Sequence, residues 1–355
     1  QEGVGYFQLT LDKGRRCSSA VAYLKPARYR KNLTVITHAQ AEKLLIKDGR
    51  TTGVTVNIKG ASQDIMARRE VILSAGTIGS PQILMLSGIG AADDLKQQGI
   101  TVVHNLPGVG KNLQDHLQAR PVFKTDLSTI NIETNNLLKQ GMIALQYALT
   151  QTGPMTMAAS LGTAFLKTDP TLDTPDIQFH IQPFSASAPA DGPHKFSAFT
   201  ASVLQMRPES TGHIALKSAN WRDHPAIHPN YLATKLDQDT IVKGIQIARK
   251  IAQFEPLKAH ITGEFTPGSG VALDNYDGTL TWARDNSVTI YHPTGTCKMG
   301  QDDMAVVDAR LRVHGIKGLR VADCSIMPTI TSGNTNAPAI MIGEKISDMI
   351  LEDAK

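Results

Sequence analysis

Residues 69–86 read REVILSAGTIGSPQILML, and this stretch indicates the fold class. Residues 69–74 are apolar enough for a buried strand. A turn of small residues follows at 75–77, and Ser80-Pro81 favours the start of a helix that continues through Leu86. A strand, a tight turn and a helix N-terminus, in this order, form the layout with which α/β proteins contact dinucleotides. No GxGxxG sequence accompanies it, so the stretch is a weak signal by itself.

The segments around this stretch extend the same α/β pattern. Upstream, β-branched and apolar residues predict strands at 32–37, 40–46 and 53–59, with a hairpin turn at Asp48-Gly49. Downstream, residues 319–322 form a short apolar strand that ends in Asp323. An acid at this place can accept hydrogen bonds from a ligand's hydroxyl groups. The alternative is that it caps a turn or helix.

From residue 117 onward the pattern changes to short strands separated by Pro, Gly, Ser and Asp, with helices predicted at 136–150 and 237–253. This pattern is typical of an antiparallel sheet backed by helices. The predicted fold class is α/β with an α+β second part. Residues 1–116 and 289–355 form one predicted domain, and residues 117–288 form the other.

Composition excludes several classes of function. The chain has 355 residues, 41% of them hydrophobic, and a net charge of +4 without a basic block interleaved with aromatic residues. Nucleic-acid binding is therefore not supported. The short basic cluster at 28–31 is read as a solvated turn, while a membrane surface or an acidic partner stays open. No apolar run has the length of a transmembrane helix.

Three cysteines without CxxC spacing argue against both a zinc site and a disulfide framework. They fit a reducing, cytoplasmic compartment. The chain begins with Gln1, and its first ten residues already read as structured. We therefore expect it to be the C-terminal portion of a longer protein.

Two further stretches carry residues suited to catalysis. The first, YHPTGTCKMG at 291–300, places His292 before a proline, which favours extended or turn geometry. Histidine is the usual general base near neutral pH, although a lone loop histidine is more often structural. The second, TSGNTNAP at 331–338, reads as a loop that leads into a helix, whose N-terminus suits an anionic ligand. A capped surface helix is the alternative.

Taken together, residues 79–90, 106–116, 291–300, 318–328 and 332–338 resemble the glucose-methanol-choline (GMC) family of flavin-dependent oxidoreductases. The resemblance implies an FAD domain and a substrate domain. His292 matches the catalytic histidine that takes the alcohol proton while hydride passes to flavin N5. Asn334 matches the second active-site position. Because asparagine cannot act as a base, it is expected to orient the hydroxyl.

The resemblance also implies contacts with the cofactor and the substrate. Asn336 and Ala337 match positions near the flavin ring. Asp323 and Cys324 match positions at the ribityl-pyrophosphate part. The adenosine end is matched by Ala41, Ala75 and Gly76. Tyr291 and Leu161 are the expected substrate contacts. Leu161 takes the place of a carboxylate that meets the quaternary ammonium group in choline-oxidising relatives. An apolar residue cannot pair with a cation, which favours an uncharged primary alcohol over choline.

The family's N-terminal GxGxxG segment is not found in the chain, so the chain alone is expected to hold FAD poorly. The expected function is an FAD-dependent alcohol dehydrogenase that passes electrons to a quinone or another acceptor. Choline dehydrogenase and a cofactor-free, inactive fragment remain alternatives. Expected partners are the alcohol, the electron acceptor and the missing N-terminal segment. Peripheral association with the inner face of the membrane stays open, and no metal is expected.

Overall fold

The computed structural model describes residues 2–158, 160–187 and 192–355. The strands are β1 (Gly3–Tyr6), β2 (Leu11–Asp12), β3 (Arg15–Arg16), β4 (Ala39–Lys47), β5 (Arg50–Ile58), β6 (Ala61–Met66), β7 (Val71–Leu73), β8 (Ile89–Gly90), β9 (His104–Asn105), β10 (Leu117–Ala119), β11 (Val122–Thr125), β12 (Gly162–Leu166), β13 (Ile177–Gln182), β14 (Ala198–Gln205), β15 (His213–Ala215), β16 (Ala226–His228), β17 (Ile261–Thr266), β18 (Val288–Thr289) and β19 (Leu319–Val321). The α-helices are α1 (Lys25–Ala27), α2 (Gly76–Leu86), α3 (Ala92–Gln97), α4 (Ile130–Thr134), α5 (Leu137–Thr150), α6 (Lys235–Ile251), α7 (Tyr276–Asn286) and α8 (Asn336–Asp353). Short π or 3₁₀ turns lie at Ala20–Leu24, Pro154–Thr156, Lys258–His260 and Cys324–Ile326.

The chain divides into two compact units. Unit 1 comprises Gln1–Leu33, Leu117–Arg207 and Leu232–Ile290. Unit 2 comprises Thr34–His116, Pro208–Tyr231 and Tyr291–Lys355. Among the described residues, no helix combines the length and the apolar character needed to cross a membrane.

Unit 1 is built on an antiparallel sheet of eight strands. Six of them run in the order β1-β12-β13-β14-β10-β18, and β11 joins β14 to β17. Helix α6 packs on β14 with Ile241, Ile245 and Ala248, which are buried and recur at helical spacing. Gly244 allows the close approach, because a Cβ there would lie 2.8 Å from a methyl carbon of Val203. This sheet with its helix confirms the predicted mixed α/β class with an antiparallel part.

Unit 2 contains the three-stranded antiparallel sheet β4-β5-β6 and the parallel pair β7-β19. In the parallel pair, Val71 lies opposite Leu319 and Leu73 opposite Val321. The Ala322 N–H then donates to the Leu73 carbonyl at 2.8 Å. Since parallel strands end at the same edge, the turn after β7 and the turn after β19 lie together.

The apolar core of unit 2 gathers α2, the parallel pair and one stripe of α8. Leu84, Leu319 and Val321 are among its fully buried members, and α8 contributes Ile342 and Ile346. Spaced four residues apart, these two isoleucines lie on one face of α8, which places the middle of that helix against the core of unit 2.

The units differ from the predicted domains at two segments. Residues 1–33 belong to unit 1, because β1 pairs with β12 from Gly3 opposite Phe165 to Tyr6 opposite Gly162. Residues 208–231 belong to unit 2, where Gly212 and Leu113 exchange backbone hydrogen bonds of 2.8 and 3.0 Å. The predicted strand at 32–37 is wrong, since these residues form a turn and irregular backbone. The functional domain ranges stay predictions.

Candidate active site

Two distant segments of unit 2 pair through their backbones and bring two histidines together. The Gln114 N–H donates to the Thr294 carbonyl at 3.1 Å, and the Thr294 N–H returns the bond to the Gln114 carbonyl at 2.8 Å. His116 and His292 lie two residues from this pair on their own segments. The loop that carries His292 is therefore fixed by the main chain.

A glycine in the same loop makes the close approach sterically allowed. Gly295 has a φ of +94°, and a Cβ there would lie 2.3 Å from the Asn112 carbonyl oxygen. Both values exclude an ordinary side chain. The Asn112 amide also donates to the Pro328 carbonyl at 3.1 Å. The glycine in the TGT sequence is thus explained by backbone contact.

The His292 imidazole is buried, with 8% of the residue exposed. Its Nδ1 lies 3.0 Å from Nδ1 of His116, which is fully buried. Its Nε2 lies 3.4 Å from the side-chain amide nitrogen of Asn334. The structure thus places His292 and Asn334, 42 residues apart in sequence, within reach of one small hydroxyl group.

A carboxylate supports the backbone beside the imidazole. Asp115 Oδ1 accepts the backbone N–H of His292 at 2.9 Å. Its other oxygen accepts the phenol hydroxyl of Tyr231 at 2.5 Å. Hydrogen bonds to a charged acceptor are worth about 1.5–3 kcal/mol each. Asp115 therefore clamps the residue that carries the candidate base, and its second bond extends the clamp to Tyr231.

The loop before α8 is open to solvent. Asn334, Asn336 and Ala337 are exposed, and the helix N-cap Thr335 makes no side-chain cap to the helix. Tyr291 is also exposed, with 76% of its surface accessible and a φ of +63°. The candidate site therefore combines a buried imidazole with an accessible carboxamide.

A second cluster forms where β7 and β19 end. Asp323 Oδ2 accepts the Gly76 N–H at 3.0 Å and the Ser80 hydroxyl at 2.6 Å. Asp323 Oδ1 accepts the Ser325 N–H at 2.8 Å, which caps the turn Cys324–Ile326. The carboxylate thus ties this turn to the start of α2. Of the two interpretations of Asp323, the structure shows the cap, and a carboxylate retains lone pairs for a further donor.

The remaining predicted site residues lie elsewhere. Ala41 is in β4, outside the parallel pair, and packs partly buried against the unit 2 core. Leu161 is in unit 1, where its N–H donates to the Ile181 carbonyl at 2.9 Å. Leu161 is 39% exposed. The structure brings Ala75, Gly76, Asp323 and Cys324 together, as well as His292 and Asn334.

Two thiols near the second cluster are held in the protonated state. Burial raises the pKa of the Cys297 thiol far above its usual range, and the negative charge of Asp323 adds to this. Burial, followed by the same carboxylate, also raises the pKa of Cys324. Because the thiolate is the nucleophile, neither cysteine is expected to act as one near neutral pH.

We expect iodoacetamide at pH 8 to alkylate Cys17 first and Cys297 last in the folded chain. A raised pKa leaves less thiolate at a given pH, and Cys297 is fully buried whereas Cys17 is partly exposed. Mass spectrometry of peptides sampled over time gives the order. Unfolded protein serves as the control, in which all three rates converge. If Cys297 is alkylated as fast as Cys17, Cys297 is not the buried, protonated thiol described here.

Two protein-family models match the chain, and both are described as GMC oxidoreductase. One, the N-terminal model, covers residues 1–118, and the other, the C-terminal model, covers residues 208–343. The chain belongs to the GMC oxidoreductase family. The candidate site draws on both matched regions, since His116 lies in the first and His292 and Asn334 in the second.

Curated GMC relatives match over nearly the whole chain. An alcohol dehydrogenase [acceptor] of Pseudomonas putida is 41% identical over 99% of this chain and 64% of its own length. The mitochondrial choline dehydrogenase of Homo sapiens is 42% identical over 99% of this chain and 59% of its own length. The chain therefore spans about six tenths of the length of these relatives.

Solved GMC structures share the fold. A formate oxidase of Aspergillus oryzae RIB40, studied for modification of its FAD, has a TM-score of 0.92 at 27% identity. The superposition covers 99% of this chain and 66% of that one. Pyridoxine 4-oxidase from Mesorbium loti has a TM-score of 0.83 at 29% identity, with 98% and 64% covered.

Three expectations are not borne out by the comparisons. The N-terminal GMC model matches from residue 1 to 118, so the expected absence of an N-terminal segment is not borne out. The membrane association left open by the basic cluster at 28–31, and a separate N-terminal segment as a partner, find no support among these relatives.

Sequence reasoning missed three residues of the GMC candidate site, namely Asp115, His116 and Tyr231. The only sequence signal for the first two is an adjacent acid and histidine that end the Gly-rich segment at 106–116. Tyr231 carries no such signal, because its contact with Asp115 spans 116 positions.

Proposed function

We propose that this chain carries the alcohol-oxidising site of an FAD-dependent GMC dehydrogenase, with His292 as general base. The observation that supports it is the 3.4 Å approach of His292 Nε2 to the Asn334 amide nitrogen. A hydroxyl oxygen placed beside the two nitrogen atoms, and not between them, would lie within hydrogen-bonding reach of both, as general-base catalysis requires. Neutral imidazole accepts a proton at Nε2, whereas a carboxamide cannot.

The two residues then have separate roles. His292 takes the hydroxyl proton at Nε2, and its backbone is clamped by Asp115 at 2.9 Å. Asn334 donates to the substrate oxygen and fixes its orientation. A base held in place in this manner loses little entropy on reaching the reactive geometry. Asn334 is exposed, which leaves room for the alcohol to enter.

The residues of unit 2 fit FAD. Gly76 has a φ of +79° at the start of α2, and a Cβ there would meet no atom within 4 Å. The N-cap Thr335 makes no side-chain hydrogen bond to α8, and the N-terminus of a helix suits an anionic or carbonyl acceptor. Ala75, Gly76, Asp323 and Cys324 would hold one part of the cofactor, and Asn336 and Ala337 another. FAD supplies the hydride acceptor when bound.

The proposed substrate is an uncharged primary alcohol, with a quinone or similar molecule as electron acceptor. Leu161 and Tyr291 are proposed substrate contacts, and Leu161 has no charge that could pair with a quaternary ammonium ion. The P. putida relative, named an alcohol dehydrogenase [acceptor], supports this choice. Choline is the second candidate, because choline dehydrogenases reach a similar identity of 41–42%.

We expect 1-butanol and benzyl alcohol to reduce bound FAD faster than choline does. The physical reason is the apolar Leu161, since an unpaired cation is costly to desolvate. The measurement is loss of oxidised-flavin absorbance under anaerobic conditions, after the protein has been loaded with FAD. Absence of flavin binding would instead favour the cofactor-free fragment. Faster reduction by choline would favour the second candidate.

A pair of substitutions tests the Leu161 assignment. Leu161→Glu is expected to raise kcat/KM for choline relative to 1-butanol by up to about fivefold, the gain that a partly exposed ion pair can supply. Leu161→Gln is the matched control, because it has nearly the same size and no charge. Equal shifts in the two variants would remove Leu161 from the substrate contacts.

A further inference from the structure

A second, fully buried histidine contacts the proposed base on the side away from Asn334. The Nδ1 atoms of His116 and His292 are 3.0 Å apart, a hydrogen-bond distance. Their rings meet edge to face, with centroids 5.3 Å apart and an interplanar angle of 82°. This contact joins residues 176 positions apart in sequence and is not explained by packing of apolar groups.

The contact restricts the protons that the two rings can carry. Two Nδ1 atoms at this distance can share only one proton, so one ring donates and the other accepts. For His292 to act as a base at Nε2, that nitrogen must be unprotonated. The neutral ring then carries its proton on Nδ1, which donates to Nδ1 of His116. His116 in turn carries its proton on Nε2.

The same arrangement persists after the proton transfer. Once His292 has accepted the alcohol proton at Nε2, its Nδ1–H still donates to a neutral His116. A hydrogen bond from a charged donor is stronger than one from a neutral donor. The buried pair thus supports the protonated product of the transfer as well as the reactive tautomer.

The surrounding groups hold the two backbone segments that carry the pair. Asp115, adjacent to His116 in sequence, accepts the His292 backbone N–H at 2.9 Å and the Tyr231 hydroxyl at 2.5 Å. The backbone pair between Gln114 and Thr294, at 2.8 and 3.1 Å, fixes both segments on the same side. Asp115 and Tyr231 are titratable groups that are hydrogen-bonded to each other beside the pair.

We propose that His116 is a positioning residue that selects the reactive tautomer of His292 by accepting its Nδ1 proton. The proposal rests on the proposed function, in which His292 is the base. This role requires a hydrogen-bond acceptor at the place of His116 Nδ1. It does not require the second ring nitrogen of His116. Asparagine places its carboxamide oxygen close to that position, whereas leucine fills the volume without an acceptor.

The test compares His116→Leu with His116→Asn in FAD-loaded protein. We expect His116→Leu to lower the rate of flavin reduction at saturating alcohol roughly ten- to a hundredfold, by analogy with the partners that orient metal-bound histidines. KM should change little, and His116→Asn should recover most of the rate. Equal rates for His116→Leu and unmodified protein, or no recovery by asparagine when both variants fold, would overturn the proposal.

A second measurement does not depend on activity or cofactor. In protein labelled with ¹⁵N-histidine, the ring-nitrogen shifts distinguish the Nδ1–H from the Nε2–H tautomer, and His292→Ala assigns the His292 signals. We expect the Nδ1–H form of His292 in unmodified protein and in His116→Asn, and a shift toward Nε2–H in His116→Leu. An unchanged tautomer in His116→Leu would overturn the proposal.

Matched variants separate this proposal from the proposed function and from loss of stability. His314, whose Nε2 lies 3.0 Å from the Gly300 carbonyl, is a partly buried histidine that we place outside the site. His314→Asn should leave the rate and the His292 tautomer unchanged. If His292→Ala does not slow flavin reduction, the proposed function fails whatever His116 does. If His292→Ala slows flavin reduction and His116→Leu does not, only the positioning role of His116 fails.

Discussion

Replacing His292 with alanine is expected to slow the reduction of bound FAD by alcohol about a hundredfold or more. General-base assistance by a positioned side chain contributes on the order of 10²–10⁴ to a rate, and Asn334 cannot substitute as a base. The ring is 8% exposed and both of its nitrogens face polar partners, so its removal also eliminates the contact with His116. Anaerobic stopped-flow spectroscopy of the FAD-loaded protein measures the rate.

The control for this prediction is that the variant still binds FAD and still folds. The His292→Ala protein should retain its flavin absorbance and circular dichroism, because the backbone pair of Gln114 with Thr294 does not involve the ring. His314→Ala, which removes a histidine hydrogen-bonded to the Gly300 carbonyl at 3.0 Å, should reduce flavin at the normal rate. Undiminished reduction by His292→Ala would end the assignment of a catalytic base to this residue.

The sequence offered His292 and Asn334 as candidate site residues, but it did not offer Asp115, His116 or Tyr231. His292 and Asn334 each lie in a stretch rich in turn residues, and their pairing followed from the family resemblance. The contact of His292 with His116 could not be anticipated. A single sequence contains no information on which distant segment pairs with residues 292–294.

The sequence around Asp323 also allowed two interpretations, and only the distances in the structure distinguish them. Its position at the end of an apolar strand predicted a polar role, and either a ligand or a cap satisfied that pattern. The structure shows three internal donors on the carboxylate, at 2.6, 2.8 and 3.0 Å. Asp323 could therefore be picked out from the sequence. Its donors at residues 76 and 80 could be identified only from the folded structure.

Strand propensity was misleading where a segment's pairing with neighbouring strands decided the outcome. Residues 32–37 are rich in β-branched residues, yet they are exposed and unpaired in the sheets. Residues 3–6 contain two glycines and are poor strand formers, yet they pair with β12 in unit 1. Both outcomes follow because a strand is stabilised by its neighbours more than by its own preference.

Replacing Asp323 with alanine is expected to destabilise unit 2 by roughly 3–5 kcal/mol. Three donors, the N–H groups of Gly76 and Ser325 and the hydroxyl of Ser80, lose a charged acceptor at 3.0, 2.8 and 2.6 Å. Each such bond is worth about 1.5–3 kcal/mol, and partial solvent access to the site reduces the sum. A loss of this size corresponds to a fall in Tm on the order of 10 °C, which differential scanning calorimetry measures.

Two further variants establish that the effect comes from this cluster. Ser80 also accepts the Ala75 N–H at 3.1 Å, so Ser80→Ala removes two of the bonds at the start of α2. Because Ser80 and Asp323 share a hydrogen bond, the Ser80→Ala/Asp323→Ala double variant should lose less stability than the sum of the single variants. Asp323→Asn keeps an acceptor for the Ser325 N–H and should fall between alanine and the unmodified protein. Additive losses, or a Tm within about 2 °C of the unmodified protein for Asp323→Ala, would mean that the carboxylate does not hold the turn to the helix.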